Sequence, residues 1–292
     1  MDERSALSRL AAAIPSVGDD AAVVDGLVVT TDMLHEATDF PPGTTRYTAG
    51  WRSVGASLSD VAAMGADATA AVAAYAAPRL VAAELDAYVE GAVDVCDAVG
   101  AEYVGGDLDT GTEFTVATTA VGETETPVRR SGAELGDAVC VTGALGRTAA
   151  GLRAFEAGDA ERGNDLFQFP PRVAAGRALA PHATAMMDSS DGLARSLHQL
   201  AEASDVGFDV AWDDVPVHDA VDEYAADAAD RKRMATTVGE DFELVCTVPP
   251  EDVDAARSDS PVPVSTIGTV TEADEGIRMD DEPLADEGYT HE

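Results

Sequence analysis

Apolar residues first recur at helical spacing, with Leu7, Leu10, Ala11 and Ile14 on one stripe that stops at Pro15, which predicts a short amphipathic helix. The period then changes to two. In DAAVVDGLVVTTD, residues 20–32, Asp25-Gly26 separates two β-branched runs and supplies the positive φ that a two-residue hairpin turn demands. This hairpin is expected to set Asp20 and Asp32 at the outer ends of paired strands. From Thr48 to Gly65 the helical period returns: Trp51, Val54, Leu58, Val61 and Ala62 share a face, and Asp60 falls off that stripe. A second helix carries Leu85, Val89, Ala92, Val93 and Cys96 as far as Gly100. YVGGD then reads as a strand running into a glycine turn, and FTVATTAV as a further strand.

Thr124 to Arg130 is a polar connector. Beyond it, DAVCVTGALGRTAAGLRAF reads as a strand entering a helix through a glycine-rich turn, the start of a new α/β layer. A boundary near Arg129 follows, giving domains 1–128 and 129–292, a division that suits 292 residues better than one large core. A helix from about Gly192 to Ala203 buries Leu193, Leu197 and Leu200, and strands are predicted near Gly207, Glu243 and Ser265. Glu156 to Pro171 is the least patterned stretch and is expected to be a mobile loop. No fixed-period repeat interrupts this order.

Charge narrows the functional classes. The chain carries 55 acidic residues against 18 basic ones, a formal charge of -37, with Lys232 its sole lysine. The excess runs the whole length, alongside 46% hydrophobic residues able to form cores, so it reads as a heavily solvated globular surface of the high-salt type. No run of Lys and Arg is available to neutralise phosphates, which excludes nucleic acid and anionic membranes as partners. No segment approaches a membrane span of about 20 apolar residues, and a soluble, cytoplasmic protein is expected. Cys96, Cys140 and Cys246 are odd in number and lack metal-ligand spacing, so they are read as reduced packing residues.

Candidate chemistry sits in short acidic clusters beside small residues: GDDAA at 18–22, TTDM at 30–33, LSD at 58–60, GGD at 105–107 and DSSDG at 188–192. Any one Asp in so acidic a chain is ordinarily a surface group. These differ in placement, at turns and strand ends where Gly, Ser and Thr permit close backbone approach. Converging carboxylates repel one another unless a cation joins them, and Mg2+ suits oxygen ligands completed by water and substrate phosphates. Other nucleotide sites fail by absence. A Walker loop needs Gly-Lys-Ser/Thr, whereas Lys232 lies between Arg231 and Arg233, and the strand lysine and HRD loop of protein kinases are missing. GALG at 143–146 offers backbone N–H groups to a phosphate or is ordinary strand-to-helix packing; the sequence supports both readings equally. Ser131, Ser189 and Ser190 lack a nucleophile elbow, and His35 reads more readily as a loop histidine than as a catalytic one.

Taken in order, GDDAA, TTDML, LSDVAAMGA, GGD, RSGAELGD, VTGALG, DSSDGLA and GEDFEL resemble the thiamine-monophosphate kinase family, from Gly18 to Tyr289. Aminoimidazole ribonucleotide and selenophosphate synthetases are the rivals within the same superfamily. The latter usually carry a reactive Cys or selenocysteine with a lysine near the N-terminus, and neither precedes Cys96 here. The resemblance implies a two-domain α+β fold of the synthetase type: an N-terminal α/β domain whose sheet forms a barrel with a homodimer partner, and a C-terminal α/β sandwich domain closing over ATP. It implies several Mg2+ ions held by Asp20, Thr30, Thr31, Asp32, Asp60, Asp107, Asp188 and Asp191. Nucleotide contacts would come from Gly106, Asp107, Arg130 and Ser190, and thiamine monophosphate contacts from Asp39, Glu240 and Tyr289. Asp32, Asp60 and Arg130 would carry the catalysis. Three positions depart from the family pattern: Leu108 replaces a common Thr, the C-terminus is shortened to GYTHE, and Ser189 replaces a hydrophobic residue, a change expected to be neutral on a solvent-facing side chain. The alternatives are an aminoimidazole ribonucleotide synthetase, activating an amide, and a non-enzymatic acidic regulator that binds nucleotide or metal.

Overall fold

The computed structural model describes residues 9, 13, 14 and 18–288, so the expected N-terminal helix and Tyr289 lie outside the described residues. In chain order the first half contains β1 (Ala22–Val24), β2 (Leu27–His35), α1 (Arg46–Ala63), β3 (Asp67–Ala77), α2 (Ala82–Val99), β4 (Glu102–Thr110) and β5 (Thr115–Glu123). The strands form one open sheet in the order β1-β2-β5-β3-β4, antiparallel except for the β3–β4 pair. The predicted hairpin is present: Val24 pairs with Leu27 around Asp25 and Gly26, at φ 52 and 85. Asp32, however, lies inside a nine-residue strand rather than at its end.

YVGGD is also strand throughout. It runs parallel to β3, with a register shift that bulges Val104, and a Cβ on Gly106 would overlap the carbonyl of Ala73. The two glycines therefore serve a bulge and a close strand approach, not a turn. Helices α1 and α2 pack together through Gly50 and Gly91, where a Cβ on either would overlap a carbonyl of the other helix, and α1 covers the face of β5 that presents Val116, Thr118 and Ala120.

The second half contains β6 (Ala138–Thr142), α3 (Arg147–Glu156), α4 (Ala160–Phe167), α5 (Val173–Leu179), β7 (Ala185–Asp188), α6 (Leu193–Ser204), β8 (Val206–Val210), α7 (Ala228–Thr236), β9 (Leu244–Val248), α8 (Val253–Asp259), β10 (Val264–Glu272), β11 (Ile277–Met279) and β12 (Glu282–Pro283). Its open sheet has the order β12-β11-β8-β10-β6-β9-β7. Alternation divides β6 between two cores. Ala138 and Cys140 face a cluster continuous with α1 and the first sheet, while Val139 and Val141 face Leu193, Leu197 and Leu200 of α6. The two halves thus share one buried seam, with α1 in it.

The stretch expected to be a loop holds α4. Asp159 caps it by accepting from the Arg162 N–H at 3.1 Å, and Arg147 donates to the carbonyls of Leu166, Asp165 and Gln168 at its other end. Its buried side is Gly163, Asn164, Leu166 and Phe167, and at eight residues it is too short for a helical period to recur. Among the described residues no helix is long and apolar enough to cross a membrane.

Candidate active site

Helix α1 brings the acidic residues together. Ser53, Ser57 and Asp60 recur at i, i+4 and i+7, a polar stripe on an otherwise buried helix. Period two on β2 points Thr30 and Asp32 at this stripe, while Thr31 projects from the opposite face with the exposed Met33. Ser57 Oγ donates to Asp32 at 2.6 Å and lies 2.7 Å from Thr118 Oγ1; Thr30 Oγ1 donates to Asp60. Ser59 Oγ reaches across to Asp188, at the end of β7, donating at 2.7 Å. Asp20, just before β1, accepts both arms of Arg130 at 3.1 Å, and Asp19 accepts from the Arg130 backbone N–H at 3.0 Å. Carboxylate oxygens of Asp20, Asp60 and Asp188 consequently lie within 4.8 Å of one another.

These acids are held in an environment that opposes their ionisation. Burial pushes Asp60 well above the usual carboxylate range, and the charges of Asp32, Asp188 and Asp20 push it further. Asp188 is raised to about 7 by burial and by Asp20, against the lowering effect of hydrogen bonds from Ser59 and Ser190 and the charge of Arg130. Burial also raises Asp32, opposed by the Ser57 hydrogen bond. For Arg130, burial acts to neutralise the guanidinium, but Asp20 and its neighbours outweigh it and hold the charge more firmly. Four carboxylates against one such arginine favour a proton or a cation. The donors are hard oxygens from three separate segments, a set that fits Mg2+ and leaves coordination positions for water and phosphate.

The remaining candidates lie around this cluster rather than in it. Ser190 is adjacent, its backbone N–H donating to Asp188 at 3.2 Å, and Asp191 accepts from Gln199 at 3.4 Å. Gly106 and Asp107 occupy the far edge of the first sheet, where they line a cavity of about 490 Å³ with Tyr75, Tyr88 and Tyr103. Asp39 is buried at the end of a one-turn helix, Glu36–Asp39, that follows β2, and it accepts from the His35 N–H at 2.6 Å. His35 itself lies 3.1 Å from Thr115 Oγ1 and is not among the clustered groups. Glu240 pairs with Arg52 at 2.9 Å.

Two expectations change. Ser189 does not face solvent: it is fully buried, and its hydroxyl accepts from the Glu243 N–H at 3.1 Å, a bond that a hydrophobic residue would forfeit. GALG resolves toward packing, because Asp241 already accepts the backbone N–H groups of Gly146 and Thr148, and Glu243 accepts that of Ala144 at 3.3 Å. Isolated motifs do not reveal Arg52, Ser57, Ser59 or Asp19 as parts of the site. The i, i+4, i+7 spacing was the available signal for Ser57; Ser59 and Arg52 gave none, since their partners are more than 100 residues away.

With this architecture in view, the similarities are specific. Residues 18–124 match the family described as AIR synthase related protein, N-terminal domain, and residues 134–281 its C-terminal domain, so the chain belongs to the AIR synthase related family. A thiamine-monophosphate kinase of Halobacterium salinarum is 63% identical over 291 residues, covering 100% of both chains. The structure of a thiamine-monophosphate kinase from Stenotrophomonas maltophilia matches with 30% identity and a TM-score of 0.82, over 92% of this chain and 90% of that one. A ThiL structure in complex with AMPPCP and TMP matches with a TM-score of 0.90 and 26% identity, over 100% and 97% of the two chains. Within the wider family the chain is therefore a member of the thiamine-monophosphate kinases.

Proposed function

We infer that the protein is a thiamine-monophosphate kinase, which transfers the γ-phosphoryl group of ATP to the phosphate of thiamine monophosphate and yields thiamine diphosphate and ADP. The carrying observation is the Asp20, Asp60 and Asp188 cluster with Arg130 beside it, in a chain 63% identical to a kinase of that name. Magnesium held by these three aspartates, with Thr30 and Asp32 beside them and Asp191 in the turn that follows Asp188, would neutralise phosphate charge, whereas Thr31 and Asp107 stand apart from that set. Arg130, aligned by its two bonds to Asp20, presents a fixed positive charge to the transferring group. The acceptor is a phosphate monoester with a second pKa of about 6, so its attacking oxygen is mostly ionised near neutrality and requires no strong base. That chemistry suits a cluster of acids with no histidine among the described residues beside it.

The cavity beside Gly106 and Asp107, with its three tyrosines, is of a size and character to take the nucleotide base, while Ser190 and Arg130 serve the phosphates. Asp39, Glu240 and Tyr289 belong to the thiamine monophosphate end. We assign residues 1–128 to metal binding and dimerisation and residues 129–292 to the domain that closes over the site. Val24, Leu27, Met33, Val104 and Leu108 are exposed apolar residues on the first sheet, which supports a homodimer whose sheets meet as a barrel. The surface charge supports a cytoplasmic setting rich in salt. Incubation with ATP, Mg2+ and thiamine monophosphate in molar KCl, followed by chromatography, should give thiamine diphosphate and ADP in equal amounts. ADP without thiamine diphosphate, or turnover only with an aminoimidazole precursor, overturns the assignment.

A further inference from the structure

We propose that Arg52 is a positioning residue for the phosphoryl acceptor, acting from α1 through Glu240; this rests on the reading that Glu240 contacts thiamine monophosphate. Arg52 has no side-chain exposure, a rare state for a guanidinium, and it spans the seam between the two halves. Its Nη2 donates to Glu240 Oε2 at 2.9 Å and approaches the Glu240 carbonyl and Thr148 Oγ1, each at 3.4 Å. Its Nη1 donates to the Phe167 carbonyl at 3.1 Å, and the guanidinium lies 4.2 Å from the Phe167 ring centroid.

The segment it holds is strained. Glu240 and Phe242 adopt φ 57 and 54, a left-handed conformation disfavoured for residues with side chains. Such a conformation persists only where the surroundings over-determine it. Here Thr148 Oγ1 donates to the Glu240 carbonyl at 2.7 Å, and the Glu240 N–H donates to the carbonyl of Ser190, at 2.6 Å, in the turn that follows Asp188. Among the described residues the protein engages only Oε2 of the Glu240 carboxylate, which leaves Oε1 for a ligand on a side chain 19% exposed. Arg52 thus fixes where that oxygen points relative to the aspartate cluster, and the same helix supplies Asp60.

The test separates positioning from stabilisation. Arg52→Lys keeps the charge but loses the planar fork that reaches Glu240 and the Phe167 carbonyl together. The expected result is a KM for thiamine monophosphate raised about tenfold, the scale of one charge-assisted hydrogen bond, with KM for ATP within about twofold of wild type. Glu240→Gln should raise the same KM, and the double variant should be no worse than the poorer single variant, because the two residues act as one unit. Thr148→Val, which removes the 2.7 Å bond to the Glu240 carbonyl, should shift the same constant in the same direction, and it replaces Arg52→Lys if that variant does not fold. A lowered Tm with unchanged KM for thiamine monophosphate, additive effects, or equal rises in both KM values overturn the role of Arg52. If Glu240→Gln also leaves that KM unchanged, the contact assigned to Glu240 fails together with it.

Discussion

Asp60 has a chemistry made almost entirely by its neighbours: on an exposed helix it would be an ordinary carboxylate, but here burial and three further aspartates favour its neutral form. Replacing it should separate stability from activity. Asp60→Asn removes repulsion and is expected to leave the metal-free protein as stable as wild type or more so, while lowering kcat by at least about 100-fold, the scale of losing one charge-stabilising group. Asp32→Asn should likewise abolish turnover with the fold intact. Near wild-type rates in both variants at saturating Mg2+ would remove these residues from the site.

The raised value of Asp188 also fixes a pH dependence. An acid whose folded value lies above its unfolded one stabilises the fold fully below about pH 4, and that contribution is lost as pH rises through about 7. Metal-free protein in molar salt should therefore show Tm falling between pH 5 and pH 8. Saturating Mg2+ should abolish the part of that slope that the cluster supplies, since the cation replaces the protons, while Asp241, which burial also raises to about 7 and which lies outside the cluster, keeps its share; Asp188→Asn should reduce the slope without metal. A slope unchanged by both would place the titrating groups elsewhere.

At the scale of elements, α1 matters most: it packs on the first sheet and on α2, reaches into the second domain, and carries Arg52, Ser57, Ser59 and Asp60 toward four different partners. Its position depends on the close approach at Gly50 and Gly91. Gly91→Ala must push the two helices apart, at a cost of about 1–3 kcal/mol, and calorimetry should show a Tm several degrees lower. An unchanged Tm would mean that the contact is slack. The helix itself was legible from Trp51, Val54, Leu58 and Val61 because its apolar period is long. Helix α4 was not, since a short segment buried on one side and ended by Arg147 from another helix has little period of its own.

For the whole molecule, the net charge of -37 is the dominant long-range fact. Screening shortens the range of like-charge repulsion from about 10 Å at 0.1 M salt to about 3 Å at 1 M. Tm is expected to rise by several degrees between 0.1 M and 2 M KCl, and a flat or falling curve would show that the surface acids are not the limiting term. Light scattering over the same salt range should report a dimer if the open face of the first sheet receives a second copy. A monomer at micromolar concentration in 2 M KCl would remove the barrel.

The hairpin around Asp25-Gly26, the two long helices, the change of layer after Arg130 and the family can be read from the residues alone, because each is written in residues close together along the chain or in an order of short motifs. The sequence also marks the acidic turns. Which acids meet is set by folding: Asp20, Asp60 and Asp188 converge, while Thr31 faces away and Asp107 lies on another edge. Folding alone decides that Ser189 is buried, that GALG is closed by Asp241, and that Arg52 joins Glu240. The physical reason is the same throughout. Local period and turn chemistry act over a few residues, whereas the ionisation and orientation of a buried side chain depend on partners that only folding brings near.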